Sequence, residues 1–274
     1  MLTQAQDLLT ETKSLASILV DLRDDQFETV TAFKGWTIND IITHIHSGNI
    51  SAITSLTDPA AYERMKAERA AASAKLPPSQ LGNLPLQREH IGHLKHRALF
   101  DAWVDTSGRM AAAFAEADPR KRVPWGGRDM SARSSISARL MEHWAHGQAM
   151  YDLLGVERQH TDRLSHVAML CVNTFGWSFS VRKMDVPAGR PAVNLVSPSA
   201  KQWQWPATND CTDSIEGQAA EFCQVAAQTR NIKDTALRVN GPTSTLWMEN
   251  AQCFAGVART PPPPGTRFMQ RRAS

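Results

Sequence analysis

"GWTINDIITHIHSGN", residues 35–49, places two imidazoles inside an apolar helix. Thr37 stands where a helix N-cap belongs, because its hydroxyl can accept from a free backbone N–H of the first turn. Ile38, Ile41, Ile42 and Ile45 follow with the three-and-four spacing of a buried stripe. The stretch therefore predicts a helix from about Ile38 to Leu56. His44 and His46 lie two positions apart, which turns them about 200° away from each other. They cannot serve one ion together, so His46 is expected at the surface or behind the ligand. His44 is either a satisfied core histidine or a metal ligand with partners elsewhere.

Other helical patterns surround this one. Leu8, Leu15, Ile18, Leu19 and Leu22 mark a helix before it. Residues 57–88 read as helical in part, broken by "LPPSQLGNLP". A third long helix is expected from about Arg88 to Ala117, with Leu99, Trp103, Met110 and Phe114 on its apolar side. After the loop "DPRKRVPWGGRD" a fourth runs from about Ser131 to Leu154, with Gly155 as its C-cap. Four long helices so connected make a bundle.

The second half is mixed. Residues 161–184 read as one helix, "PAVNLVSP" and "KQWQW" as strands, and "SIEGQAAEFCQVAAQT" as a helix. "TALRVNG" reads as a strand, and "TSTLWMENAQCFAG" as mixed or helical. The expected fold class is α plus α+β: a helix bundle over residues 1–157, a small α+β domain over 158–260, and a Pro-rich tail over 261–274 that lies on the surface or is partly disordered.

Composition narrows the function. The 274 residues are 42% hydrophobic and 21% charged, with a net charge of +3. That excess is too small to argue for nucleic acid; clusters at Arg120, Lys121, Arg122 and at Arg271, Arg272 are short. The N-terminus lacks signal-peptide character and no apolar run is long enough to span a membrane. The four cysteines, Cys171, Cys211, Cys223 and Cys253, show no CxxC spacing. They read as buried reduced thiols of a cytoplasmic protein, with a clustered thiol site in the second half as the alternative.

Partners for His44 stand in "SARLMEHWAHGQAMYDLLG", residues 137–155. Glu142 and His146 are four apart, so both side chains can face one way. His143 and His146, three apart, could do so too. Met141, Trp144, Ala145 and Met150 put the pair near a buried face, where unpaired burial costs several kcal/mol. His44, Glu142 and His146 would give two nitrogens and a carboxylate, a three-ligand catalytic zinc set with a fourth position open. Two separately satisfied core clusters would explain the same residues. His90, His93 and His96 form a third group, read as a solvated face and as the alternative ligand source.

"GWTINDIITHI" followed by "RLMEHWAHG" resembles the DinB-like superfamily, in particular its mycothiol-dependent maleylpyruvate isomerase branch. "VPWGGRDMSARSSISARLMEHWAHGQAMYDLLG", "NTFGWSF", "EFCQVAAQTRN" and "AQCFAG" are similar to a less understood metal-binding family within it. The resemblance implies His44, Glu142 and His146 as metal ligands, with Arg139 as the family arginine. It implies a divalent metal, usually zinc, and often a low-molecular-weight thiol such as mycothiol or glutathione. It also implies a DinB-like identity for the bundle, although such bundles serve different chemistries.

Further residues have expected roles. Arg139, one turn before Glu142, either holds that carboxylate or forms a surface ion pair. Trp125 either lines the mouth of the pocket or packs. Asn39 and Asp40 suit the helix start, and Trp177 suits packing. Arg230, with Arg238 next, would grip a substrate carboxylate. The leading expectation is a thiol-dependent isomerase or transferase acting on a small organic electrophile or acid. A thiol-independent metal hydrolase or lyase, and a non-catalytic metal- or ligand-binding protein, remain open. His143 as a fourth ligand would favour the last.

Overall fold

The computed structural model describes residues 2–77, 81–126 and 129–270. Pro78, Ser79 and Gln80 of the expected breaker segment, Gly127 and Arg128 of the loop, and the Arg271–Arg272 cluster lie outside them. The chain divides into two compact units, Met1–Val156 and Glu157–Ser274.

The first unit is built on four long helices: α1 (Thr3–Ser17), α3 (Ile38–Thr57), α6 (His96–Glu116) and α7 (Ala132–Leu154). Shorter α2 (Asp24–Phe27), α4 (Pro59–Ser73) and α5 (Leu84–His90) connect them. Local chemistry sets the ends. Thr37 Oγ1 accepts from Asp40 N at 3.1 Å and Asp40 Oδ2 accepts from Thr37 N at 3.2 Å, a reciprocal cap on α3. Ser131 Oγ caps α7 through Ser134 N, and Gly155 closes it at φ 60°. Leu15, Ile41, Ile42, Ile45, Leu99, Trp103 and Met150 meet in one core between these helices. Arg122–Val123 (β1) and Met130–Ser131 (β2) form a small hairpin before α7.

The expected third helix is two. Gly92 (φ 66°) and His93 (φ 56°) take left-handed conformations that no α-helix continues through, so α5 and α6 meet at a bend. α1 also stops before Ile18, and Ile18 and Leu22 pack on the core from turns.

The second unit carries α8 (Leu164–Asn173) and α9 (Phe175–Ser180) where one helix was expected. The expected strands form β3 (Ala192–Val196) and β4 (Gln202–Trp205). "SIEGQAAEFCQVAAQT" is not helical throughout: it is β5 (Ser214–Gln218) followed by α10 (Ala219–Ala226). β5 is claimed by its neighbours, parallel to β3 and antiparallel to β6 (Arg238–Asn240), and Gly217 at φ 144° suits no helix. The sheet order is β4-β3-β5-β6. Val193, Leu195 and Ile215 are fully buried. In α11 (Pro242–Asn250), Trp247 meets Phe175 and Phe222 edge-on. The proline-rich segment is pinned to this unit: Asn231 Nδ2 donates to Pro262 O at 2.8 Å and Gly265 N to Asp234 Oδ1 at 2.9 Å. Among the described residues no helix is long and apolar enough to cross a membrane.

Candidate metal centre

α3 and α7 pack side by side in the bundle, which brings the two halves of the motif together. Glu142 Oε2 lies 3.2 Å from His44 Nε2 and 3.0 Å from His146 Nε2. One ligand atom from each residue falls within 4.8 Å of the others. Ligands of a tetrahedral ion bound at about 2.0–2.1 Å stand roughly 3.4 Å apart, so a slight opening of this cluster accommodates one. All three side chains are largely buried, each keeping between 14% and 25% of its surface exposed.

The protonation states suit coordination. Burial pushes the Glu142 carboxyl up, but hydrogen bonds from His146 and His44 outweigh it and hold it well below the usual carboxylate range. Burial, with His44 and Lys34 nearby, lowers His146 to about 4 against the pull of Glu142. A carboxylate and a neutral imidazole are the forms that bind a cation. Gln87 of α5 meets the far nitrogen of His44, its side-chain amide 3.1–3.3 Å from Nδ1. With a cation held, an Nδ1–H donating to Gln87 Oε1 would leave the Nε2 lone pair for the ion.

Arg139 neither holds Glu142 nor lies at the surface. It is 3% exposed, and its guanidinium donates to Asn49 Oδ1 (3.2 and 3.3 Å) and to Ile45 O (3.1 Å). It thus ties α7 to α3 beside the triad. Gly48 makes room: a β-carbon there would lie 2.6 Å from Arg139 Nη1. His143 faces away from the triad. Its Nδ1 donates to Arg139 O at 2.8 Å, and its Nε2 accepts from Trp103 Nε1 at 3.3 Å, with Asn49 Nδ2 also at 3.3 Å. Burial, then Arg139, lowers its pKa to about 3.

The expectations for His46, for the His90, His93 and His96 group and for Trp125 are corrected. His46 is not at the surface: it is 4% exposed, and burial holds it at about 4. His90, His93 and His96 do not share a helix face. His90 meets Ser47 Oγ at 3.0 Å, His93 is exposed in the bend, and His96 pairs with Glu28 at 2.7 Å. Trp125 sits at the far end of α3, where Ser55 Oγ donates to the neighbouring Pro124 O. Ser55 is eleven residues past His44, about 16 Å of helix rise. Trp177 is more exposed than packing requires, its indole N–H donating to Phe254 O. Arg238 pairs across strands with Glu216 at 2.7 Å, and Arg230 donates to Thr229 O just past α10. Cys171, Cys223 and Cys253 are buried free thiols, and burial pushes Cys171 up. Asn39 Oδ1 accepts from His96 N, and Asp40 binds Arg88 at 2.6 Å as well as capping α3.

The sequence reading missed the wall of the site. Trp36 stacks on His146 (6.3 Å between centroids, 8° apart) and lies 5.5 Å from His44. Phe33 meets His146 edge-on at 4.9 Å. Both flank "KG" in the turn before α3. An aromatic pair around a turn that leads directly into the ligand helix was the available signal.

The helix bundle and its match to a family model place the chain in the DinB-like class, in its maleylpyruvate isomerase-like branch. The chain belongs to the family described as mycothiol maleylpyruvate isomerase N-terminal domain, which matches residues 8–151. It is 32% identical over 259 residues to an uncharacterised protein found in two strains of Mycobacterium tuberculosis, covering 94% of this chain and 95% of the relative. Crystal structures of the mycothiol-dependent maleylpyruvate isomerase and of a point mutant of it share the fold. For each the TM-score is 0.52 at 17% identity, over 82% of this chain and 88% of the other.

Proposed function

We propose that the protein is a cytoplasmic, thiol-dependent isomerase or transferase of a small organic electrophile or acid. In this reading His44, Glu142 and His146 hold one divalent cation, zinc by donor type. The observation that carries it is the position of His143. With both ring nitrogens committed to the bundle core, His143 does not close the coordination shell, which supports an open fourth position for chemistry over a storage site. A bound zinc-class cation would favour the thiolate of mycothiol or glutathione, the form that adds to an activated alkene. Reversible addition gives cis–trans isomerisation, and retained addition gives a conjugate.

The protein's own groups have distinct parts. Gln87 fixes the His44 tautomer, and Arg139 holds α3 and α7 in the register at which the three donors converge. Trp36 and Phe33 wall one side and limit water. Arg230 and Arg238 are proposed as carboxylate-gripping groups.

Elemental analysis of purified protein tests the centre: about one metal per chain is expected, lost in His44→Ala and His146→Ala. Turnover of maleyl-type acids should rise and saturate with added thiol. Full turnover without thiol would move the assignment to a hydrolase or lyase.

A further inference from the structure

Beyond the triad, α4 and α5 pack on α3 and gather a second set of polar groups. Ser47 and Ser51 stand four apart on α3, so both face one side. From α5, His90 Nδ1 meets Ser47 Oγ at 3.0 Å. From α4, Arg69 Nη1 donates to Ser51 Oγ at 3.0 Å, while the Ser51 hydroxyl donates back to Ser47 O at 2.8 Å. Ser51 is seven residues past His44, about 10 Å of helix rise, so this cluster is separate from the metal centre.

What the cluster lacks is an acceptor. Arg69 Nη2 is enclosed and has no hydrogen-bond partner. Nor has Nδ1 of His46, which is 4% exposed. Among the described residues no carboxylate pairs with Arg69 or His90. The group that supports the Arg69 charge is the Tyr62 phenol. Burial, then Arg69 and His46, lower His90 to about 4. A guanidinium drawn partly out of water without a counter-ion is unfavourable, so the arrangement calls for an anion from outside the chain. Arg69 also borders a cavity of about 520 Å³ lined in part by Tyr62, Met65 and Ala70, a volume that holds a small molecule.

We propose that Arg69, backed by His90, binds the oxyanion head, phosphate or carboxylate, of a small molecule seated in this cavity. The site is distinct from the triad and stands whether or not the triad holds a cation. A guanidinium fork matches the paired oxygens of either head. Tyr62, Met65 and Ala70 offer contact to an apolar body behind it.

The test titrates the full-length protein by calorimetry with phenyl phosphate, benzoate and benzamide, which share a ring and differ in the head. Saturable binding of at least one anion, and none of benzamide, is expected, and the tighter anion names the head. Arg69→Met puts an apolar chain in place of the guanidinium, so thermal stability should hold or rise. Anion affinity should fall about ten-fold or more, as expected for a lost charge-assisted hydrogen bond. Arg69→Gln keeps a polar amide there and should lose affinity to a similar extent, which guards against a packing defect in Arg69→Met. Binding should survive treatment with a chelator. No binding of either anion by the unaltered protein, benzamide bound as tightly as the anions, or undiminished affinity in either folded variant would overturn the assignment. Binding that vanishes with the chelator would place the anion at the triad and overturn the separate site.

Discussion

Gly48→Ala separates two arguments of opposite sign. Gly48 lies inside α3, and alanine in a helix interior is favoured over glycine by about 1 kcal/mol. On helix propensity alone the variant should gain stability. The tertiary contact says otherwise. The added β-carbon would lie 2.6 Å from Arg139 Nη1 and 2.7 Å from Cζ and Nη2. The guanidinium must move, yet it is buried and anchored to Asn49 Oδ1 and Ile45 O. Hydrogen bonds to charged groups contribute about 1.5–3 kcal/mol, and a buried charge left without partners costs about 3–5 kcal/mol. Partial re-formation and the propensity gain offset some of this, so a net loss of about 2–4 kcal/mol is expected. For a unit of this size that lowers Tm by about 5–15 °C. Calorimetry of metal-free protein measures it. In an Arg139→Met background the same Gly48→Ala change should become neutral or stabilising, since the clashing head group is gone. A Gly48→Ala protein as stable as the parent would refute the idea that Gly48 exists to seat Arg139.

Gln87→Leu should keep all three ligands but weaken metal affinity about 10–100-fold, because the His44 tautomer loses its partner; competition with a chelator measures it, and an unchanged affinity would count against the orienting role. His143→Leu should retain stoichiometric metal while losing about 1–3 kcal/mol from the stranded Trp103 and Asn49 donors; metal loss without instability would make His143 a ligand after all. Acid should destabilise the bundle through His46 and His143, whose folded pKa values of about 4 and about 3 lie below the unfolded 6.5. The unfolded state then binds more protons, so their contribution is complete above pH 6.5 and is lost as pH falls towards 4 and 3. By pH 5 each should have cost about 2 kcal/mol. Urea midpoints that stay flat from pH 7.5 to 5, or a slope unaltered by His143→Leu, would exclude this.

Much of the bundle and the triad is legible in the sequence because both are written in local geometry. Thr37 and Asp40 cap α3 through bonds made within one turn, and Gly155 ends α7 by its own backbone freedom. Glu142 and His146 face together because four residues nearly complete a turn. The motif around His44 names its helix in the same way. What local geometry cannot state is which neighbour each helix face meets. His143, three residues from His146, might have joined the triad by spacing; the positions of Trp103 on α6 and Asn49 on α3 turn it into the core. Arg139 sits one turn from Glu142 yet bonds to α3, because Gly48 opens a slot there. Residues 214–218 have helix-compatible composition and become a strand because β3 and β6 offer backbone partners on both sides. The bend at Gly92 and His93 likewise splits α5 from α6, and only then can Gln87 approach His44 from one side while α6 supports the core from another. Side-chain direction along a helix is a property of the chain; what stands in that direction is a property of the packed bundle.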